Sequence, residues 1–581
     1  MKKLIALFLC LVMVLGLVAC GAKEEPKVEE PAFEVAETKE PEAAPEEVVS
    51  EQPEEVAPEL GTLPLVTEEA TITIGVRQSP NTEDYETNDY TKWIEEQTGV
   101  NLDFVYFSND KDEAKTQLNL MIAGGEKLPD ILWGHTGIDT ALMYELGEDG
   151  YFVDLKDYFT EYGYWFWEEY EYIPEADQAA VFQYGTDPSN GAYYAFPRYT
   201  TGGGDRANSM PVINTAWLEA IGEEMPTNVD DLYTVLKKFA TEDPNGNGVA
   251  DEMALLGYED GYRTDIIQWI INAYVYCLDD EFFNATDGQI WVPYTTDEYR
   301  QAMIFLNKLY AEGILSPLFY TLAEASEYAA LMMPADGTAI AGVASVQTTL
   351  HFPSESEVMY QYAAMPALEA ATELGGYAAI RGSTFEYNTF ITADCADPVL
   401  AFKLLDFMCG QESYLRSRFG VKDVHWKWAE EGMVTSMGIP AAIEVIDNTV
   451  YANQNNVCWH DTRANVTSVE RVGNAANLDL ESWTGRRSAL YASIFNTQDA
   501  CAKPEEVVHK IVYNTEEQAY VSSVETQIED YVAEARAMFV SGVTNPNDDA
   551  AWETYLTNLE SLGLSQYVAT AQSAYTRMTA E

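Results

Sequence analysis

The stretch from residue 70 to 133 constrains the fold more than any other. ATITIGV (70–76) alternates Thr with Ile as a half-buried strand does, DYTKWIEEQTG (89–99) has helical spacing and stops at Gly99, and VNLDFVYF (100–107) alternates again. A second helical run, EAKTQLNLMIAGG, leads through KLPD into the apolar ILWG. Parallel strands need a crossover between them, so this repeated strand-helix order points to an α/β fold.

Before that core come two segments of another kind. MKKLIALFLCLVMVLGLVAC has a short basic head, an apolar stretch too short to be a secure membrane span, and Leu17-Val18-Ala19-Cys20 followed by Gly21. It resembles a bacterial lipoprotein signal. The resemblance implies removal of 1–19, a diacylglycerol on the Cys20 sulfur, and anchoring at the extracytoplasmic face of the cell membrane; ordinary secretion with an incidental cysteine is the alternative. From Lys23 to Glu69 the chain is mostly Glu, Pro, Ala and Val, without Asp, Trp or Tyr. So little apolar surface cannot offset the entropy of ordering, and 20–69 reads as a disordered tether.

With 96 acidic against 32 basic residues and a formal charge of -64, nucleic acid and anionic surfaces are poor partners. Setting Cys10 and Cys20 aside leaves five cysteines, widely spaced and with no CxxC, so neither a disulfide framework nor a zinc site is indicated.

DPNGNGVADE (243–252) is an oxygen-rich decapeptide between an amphipathic run and an apolar one. Asp243, Asn245 and Asn247 take positions 1, 3 and 5 of a calcium loop. Gly248 supplies the bend, Val249 offers a carbonyl at position 7, and Asp251 stands at position 9. Position 12 is Ala254, so the closing acid has to be Glu252, and the loop is not an EF-hand. A plain polar turn is the competing reading; alternate oxygen donors followed by an acidic pair favour a hard divalent cation.

TKWIEEQTGVNLDF followed by LNLMIAGGEKLPDILWG resembles the opening of the family 1 (carbohydrate-type) extracellular solute-binding proteins of bacterial ABC importers. Further matches follow in order: VINTAWLEAIGEEMPTNVDDLYTVLKKF, DPNGNGVADEMALLG, YRQAMIFLNKLYAEGILSP, ADPVLAFKLLDFMCGQESYLRSRFGVKDVHW and WETYLTNLESLGLSQYVATAQSAYTRM. Members similar to alginate-binding proteins carry a calcium loop D-x-N-x-N-G-x-x-D-E, matched here by Asp243, Asn245, Asn247, Gly248, Asp251 and Glu252. What the resemblance implies is a structural Ca2+ and a periplasmic-binding-protein-like α/β fold of two discontinuous lobes around a hinge and a ligand cleft. Lobe 1 is expected from 70–205 and 384–430, lobe 2 from 206–383 and 431–581. The first crossing is placed near TGGGDRA (201–207), whose glycines suit either a hinge or a surface loop, and the return near 382–388. The implied partners are an oligosaccharide and the permease subunits that receive it from a monomer.

A sugar ring packs its CH face on an aromatic plane, and its hydroxyls need directed donors and acceptors. Trp133 follows LPDIL at the C-terminal end of an expected strand, where ligands gather in open α/β sheets, and His135 beside it is a candidate donor. Arg198, Tyr199, Trp269, Trp426, Trp459 and Arg463 complete the ligand-binding candidates. Trp133 stands either as a stacking platform or as core, and Trp269, at helical spacing, reads more readily as core. A neutral oligosaccharide is favoured, because the acidic body repels an acidic one unless Arg198 or Arg463 lines the cleft.

No nucleophile elbow, Walker loop, HExxH or Cys/His zinc spacing is present, so an enzyme, such as a glycosidase using two of the many carboxylates, has no motif to carry it. A surface glycan-docking protein is the remaining alternative, since holding a sugar and handing it on use different faces.

Overall fold

The computed structural model describes residues 60–580, less 136, 201–208, 260, 279–282, 379, 381–382, 448, 461–463 and 503. The signal peptide, Cys20 and the tether up to residue 59 lie outside the described residues. The last part of the expected tether does not behave as one. Leu65 and Val66 pack on the first core, and their N–H groups both donate to the Thr98 carbonyl. The GTLPLV run is apolar enough to cover a helix end, which the Glu/Pro-rich part is not.

The strands run β1 (Ala70–Arg77), β2 (Val100–Phe107), β3 (Ile131–Trp133), β4 (Ala195–Thr200), β5 (Pro211–Asn214), β6 (Met253–Leu256), β7 (Asn284–Thr286) and β8 (Gln289–Trp291). After them come β9 (Ala341–Ser345), β10 (Tyr362–Ala364), β11 (Thr384–Ile391), β12 (Trp426–Trp428), β13 (Ile443–Val445) and β14 (Val466–Thr467). The first sheet has the order β14-β4-β11-β3-β1-β2, the second β10-β5-β9-β6, and β7–β8 and β12–β13 are separate hairpins.

The helix Asp89–Thr98 joins β1 to its parallel neighbour β2; the Asn88 side chain caps its start, and Gly99, at φ 74°, ends it in the left-handed region that glycine tolerates. The helix Lys111–Gly124 carries the chain on to β3, which pairs parallel with β1 on its other side. β11 then enters antiparallel between β3 and β4, so the sheet is mixed. β14 runs parallel to β4. The C-terminal ends of β1, β2, β3, β4 and β14 therefore share one edge of the sheet with the N-terminal end of β11. That is the edge where ligands collect in folds of this kind.

Each sheet has its own apolar core, one around Ile74, Ile131, Phe159 and Leu405, the other around Ile213, Leu236, Ile270 and Leu306. The chain passes between the sheets after β4, before β11 and after β14. The glycine run expected as a hinge, Gly202, Gly203 and Gly204, lies outside the described residues. The expected end of lobe 1 at residue 430 is corrected: Trp459, Ala464 and Val466 belong to the first core, and β14 pairs in the first sheet. The next helix, Trp483–Asp499, packs through Leu490, Tyr491 and Ile494 on the core beside the second sheet. The short β14 carries too few residues for its strand pattern to be read from sequence.

Candidate functional site

The aromatic residues expected at the cleft are mostly interior. Trp459 is fully buried among Tyr85, Tyr90, Phe104 and Trp133 and donates its indole N–H to Thr91 Oγ1 (2.9 Å). Trp133 is 3% exposed, and its own Nε1 is buried without a partner. Trp269 lies in the second core and donates to the Pro366 carbonyl (3.0 Å). Trp426 closes a small cluster with Tyr414, Leu415 and Ile443 and donates to the Gly420 carbonyl (2.8 Å). The physical reason is common to all four: an indole buries a large apolar area, and three of them find a protein acceptor for the N–H. Arg463 lies outside the described residues.

His135 is likewise interior. Its Nε2 lies 3.2 Å from the Gly75 carbonyl and donates there, and its ring stands edge-on to Phe107 at 4.5 Å. Burial, and secondarily the Arg77 charge, pulls its pKa down to about 4, so the ring is neutral at ordinary pH.

Arg198 and Tyr199 part company because successive strand side chains face opposite sides. Tyr199 turns inward, where its hydroxyl donates to Asp177 Oδ2 (2.6 Å) and lies 3.1 Å from Ser383 Oγ. Arg198 turns to the other face, and its Nη1 donates to Glu386 Oε1 at 2.6 Å, with the two side chains 22% and 29% exposed. Asn388 Nδ2 donates to Glu386 Oε2 (3.0 Å). Around this pair lie polar atoms that, among the described residues, have nothing to bond. The Arg198 Nε, Asn388 Oδ1, Thr200 Oγ1, both amide atoms of Asn465, Thr467 Oγ1 and Ser468 Oγ are buried without a hydrogen-bond partner.

Sheet register explains the gathering. Glu386 is the cross-strand partner of Arg198 and Thr467 that of Thr200, so residues far apart in sequence meet at one end of β4, β11 and β14. Lys510 reaches the first lobe nearby. Its Nζ donates to Thr140 Oγ1 (3.2 Å) and lies 4.9 Å from the Tyr387 ring; desolvation pulls its pKa down to about 8, against the pull of Glu386. Each unpartnered buried polar group costs about 1–3 kcal/mol, so a cluster of them at the strand ends is chemically suited to taking water or hydroxyl groups. Of these residues only Arg198 was identified from sequence. The signal for the others was weak: single polar residues in mixed or apolar runs, FEYNTF and ANVTSV, whose shared edge is set by pairing.

The DPNGNGVADE loop lies between the helix Val229–Thr241 and β6, remote in sequence from this patch. Asp243 Oδ2 accepts from the Gly248 N–H (2.9 Å), and Asn247 Oδ1 from the Val249 N–H (2.6 Å). The Asn245 and Asn247 amides both point at Asp251, at 3.1 Å in each case. Glu252 Oε1 is buried without a partner, and burial first, then the charges of Asp251 and Asp243, pushes the Glu252 carboxyl above its ordinary pKa. Among the described residues no three His, Cys, Asp or Glu side chains converge as a metal group, so Asp243, Asp251 and Glu252 do not meet at one point in this arrangement, although the loop carries two amides and three acids in all. The oxygen donor types, with one crowded carboxylate oxygen left over, are those a hard cation takes, while the acids are not gathered around a common point.

Two sheets with separate cores, joined by three crossings, define the class of two-lobed solute-binding folds. The fold is similar to that of an ABC-transporter-associated solute-binding protein described as HMO-binding, from Bifidobacterium longum infantis ATCC 15697, with a TM-score of 0.69 at 20% identity over 88% of this chain and 100% of that one. In sequence the chain is similar to the fructooligosaccharide ABC transporter substrate-binding protein FusA of Streptococcus pneumoniae serotype 4, at 24% identity over 511 residues, 83% of this chain and 85% of FusA. An EF-hand mutant of S. pneumoniae FusA in complex with fructo-nystose gives a TM-score of 0.62 at 20% identity over 87% of this chain and 99% of that one. Over a shorter stretch of 171 residues, 28% of this chain and 32% of the relative, it is 29% identical to Lipoprotein LipO of Bacillus subtilis strain 168. No protein-family model matches the chain. The chain is thus a relative of the extracytoplasmic, carbohydrate-type substrate-binding proteins of ABC importers, which are binding proteins and not enzymes.

Proposed function

We propose that this chain is the substrate-binding lipoprotein of an ABC importer, that it captures an oligosaccharide between its lobes, and that the unpartnered polar patch of the first lobe holds the sugar's hydroxyls. The observation that carries the reading is the cluster around Arg198 and Glu386, in which Asn388, Thr200, Asn465 and Thr467 offer both donors and acceptors on the C-terminal edge of the first sheet. Hydroxyls supply both halves of such bonds, which a purely anionic or apolar solute does not. The kinship with FusA, whose name states a fructooligosaccharide, supports the same solute class.

In this reading the monomer is held to the membrane by a lipid on Cys20, the Glu/Pro-rich tether gives it reach, and permease subunits take the sugar. Among the described residues no helix is long and apolar enough to cross a membrane. A structural Ca2+ is held by Asp243, Asn245, Asn247, Asp251 and Glu252 with the Val249 carbonyl, tying the end of one helix to the start of β6. The EF-hand named for the FusA variant supports a cation site in this kind of protein.

The test is a panel of neutral and acidic oligosaccharides read by thermal shift, followed by titration calorimetry of each hit. A neutral oligosaccharide that raises the melting temperature, and is recovered uncleaved, is the expected result. No stabilisation by any sugar, or steady conversion to shorter products, overturns the reading.

A further inference from the structure

A second cavity, built from different residues, opens on the second lobe beside the β7–β8 hairpin, with a volume of about 230 Å3. Pockets for drug-sized ligands run to about 300–1,000 Å3, so this one suits a single ring and not a chain of sugars. Tyr276, Trp291 and Tyr377 supply aromatic surface, with the two tyrosine rings nearly perpendicular at 5.7 Å. Asp287, Glu505 and Glu506 also line it. Among the described residues none of these three acids has a basic partner; Glu506 Oε2 only accepts from the Gly288 N–H at 3.1 Å.

The remaining feature is Asn284, 4% exposed and part of the lining. Its Nδ2 donates to the Tyr276 carbonyl (2.8 Å), which fixes the amide, while its Oδ1 is buried without a partner. A fixed acceptor, three carboxylates without a basic partner among the described residues, and aromatic faces all ask for the same thing. They want a donor that carries positive charge on a body with an apolar face.

We propose that this cavity binds a protonated amine carried on a hydroxylated ring, that is, an unacetylated amino sugar, either free or as the terminal unit of a longer glycan. A neutral hexose gives the carboxylates only hydroxyl donors and leaves their charge uncompensated. An N-acetylated sugar loses the charge. The proposal is independent of the interlobe reading above, since it uses none of the residues of the Arg198–Glu386 patch.

The experiment uses the mature chain and glucosamine as probe, with glucose and N-acetylglucosamine as comparators at one ionic strength, read by titration calorimetry. Glucosamine is expected to bind at least about tenfold more tightly than either comparator, the scale of a partly desolvated cation–π contact with its carboxylates. Asp287→Asn and Glu505→Gln, both at exposed positions, are expected to erase that preference with an unchanged melting temperature. Asn465→Ala, which strikes the interlobe patch, should leave glucosamine binding alone, so the two readings can fail separately. Equal affinity for glucose, a preference that survives both acid variants, or no saturable glucosamine binding overturns the proposal.

Discussion

The aromatic nest around Trp459 and the polar patch around Asn465 lie within a few residues of each other in sequence and meet opposite fates. Trp459 is fully buried with its N–H bonded and four rings packed about it, while Asn465 is just as buried with neither amide atom bonded. Three of the four indoles that looked like sugar platforms, Trp269, Trp426 and Trp459, have N–H groups the protein itself satisfies; Trp133 shares their burial but not that bond. Burial, not aromatic character, separates these rings from a platform open to solute.

The comparison breaks first on Trp459→Ala. It should cost about 3–5 kcal/mol of stability in urea unfolding, the usual range for an aromatic lost from a core, while the folded fraction keeps its sugar affinity. Normal stability with lost binding would return Trp459 to the site.

Next comes His135, which shares the buried first lobe. Its folded pKa of about 4 lies below the ordinary 6.5. The unfolded chain therefore takes up a proton that the folded one refuses, so stability is full above pH 6.5 and is lost as pH falls toward 4. The difference amounts to about 3 kcal/mol by linkage. His351, also near 4, acts in the same sense, and Asp406, raised to about 6 by burial, acts in the opposite one. The measurement is therefore the difference between wild type and His135→Gln, which keeps a donor for Gly75: melting curves from pH 7 to 4 should converge as pH falls. Parallel curves would count against a neutral buried ring.

The calcium loop offers an effect of similar size. At a hundredfold excess over its Kd, Ca2+ should stabilise by about 2.7 kcal/mol. A chelator should remove that, and Asp243→Ala should make the protein indifferent to both. Identical melting curves in all conditions would end the cation reading.

The smallest effect is the most diagnostic. Thr467→Val replaces a buried hydroxyl that has no partner with a methyl of similar shape, so stability should hold or rise slightly, while sugar affinity falls by about 1–2 kcal/mol, near tenfold. A loss of stability with affinity intact would make the patch structural.

Much of the architecture was legible because periodicity is a local property. The strand-helix-strand opening, the stop at Gly99 and the two-lobed class all follow from short windows or from the family resemblance. The site was not, for two physical reasons. In a chain with 12% aromatic residues, every Trp is a plausible platform until burial is known. And β14 joins β4 only through tertiary pairing, so nothing near Thr467 announces that it will face Thr200. Arg198 is half-buried beside Glu386 while Tyr199 faces the core, a split not legible in sequence because which of two adjacent strand residues faces inward depends on what each face is packed against.

The sheet order also sets a schedule for folding. A chain made from its N-terminus exposes β3 and β4 well before β11, which must slide between them, and before β14, which closes the far edge. Until then β3 and β4 are unpaired edges, prone to stick to other chains. The first lobe therefore cannot finish early, and its closure waits on long-range pairing of the kind that folds slowly.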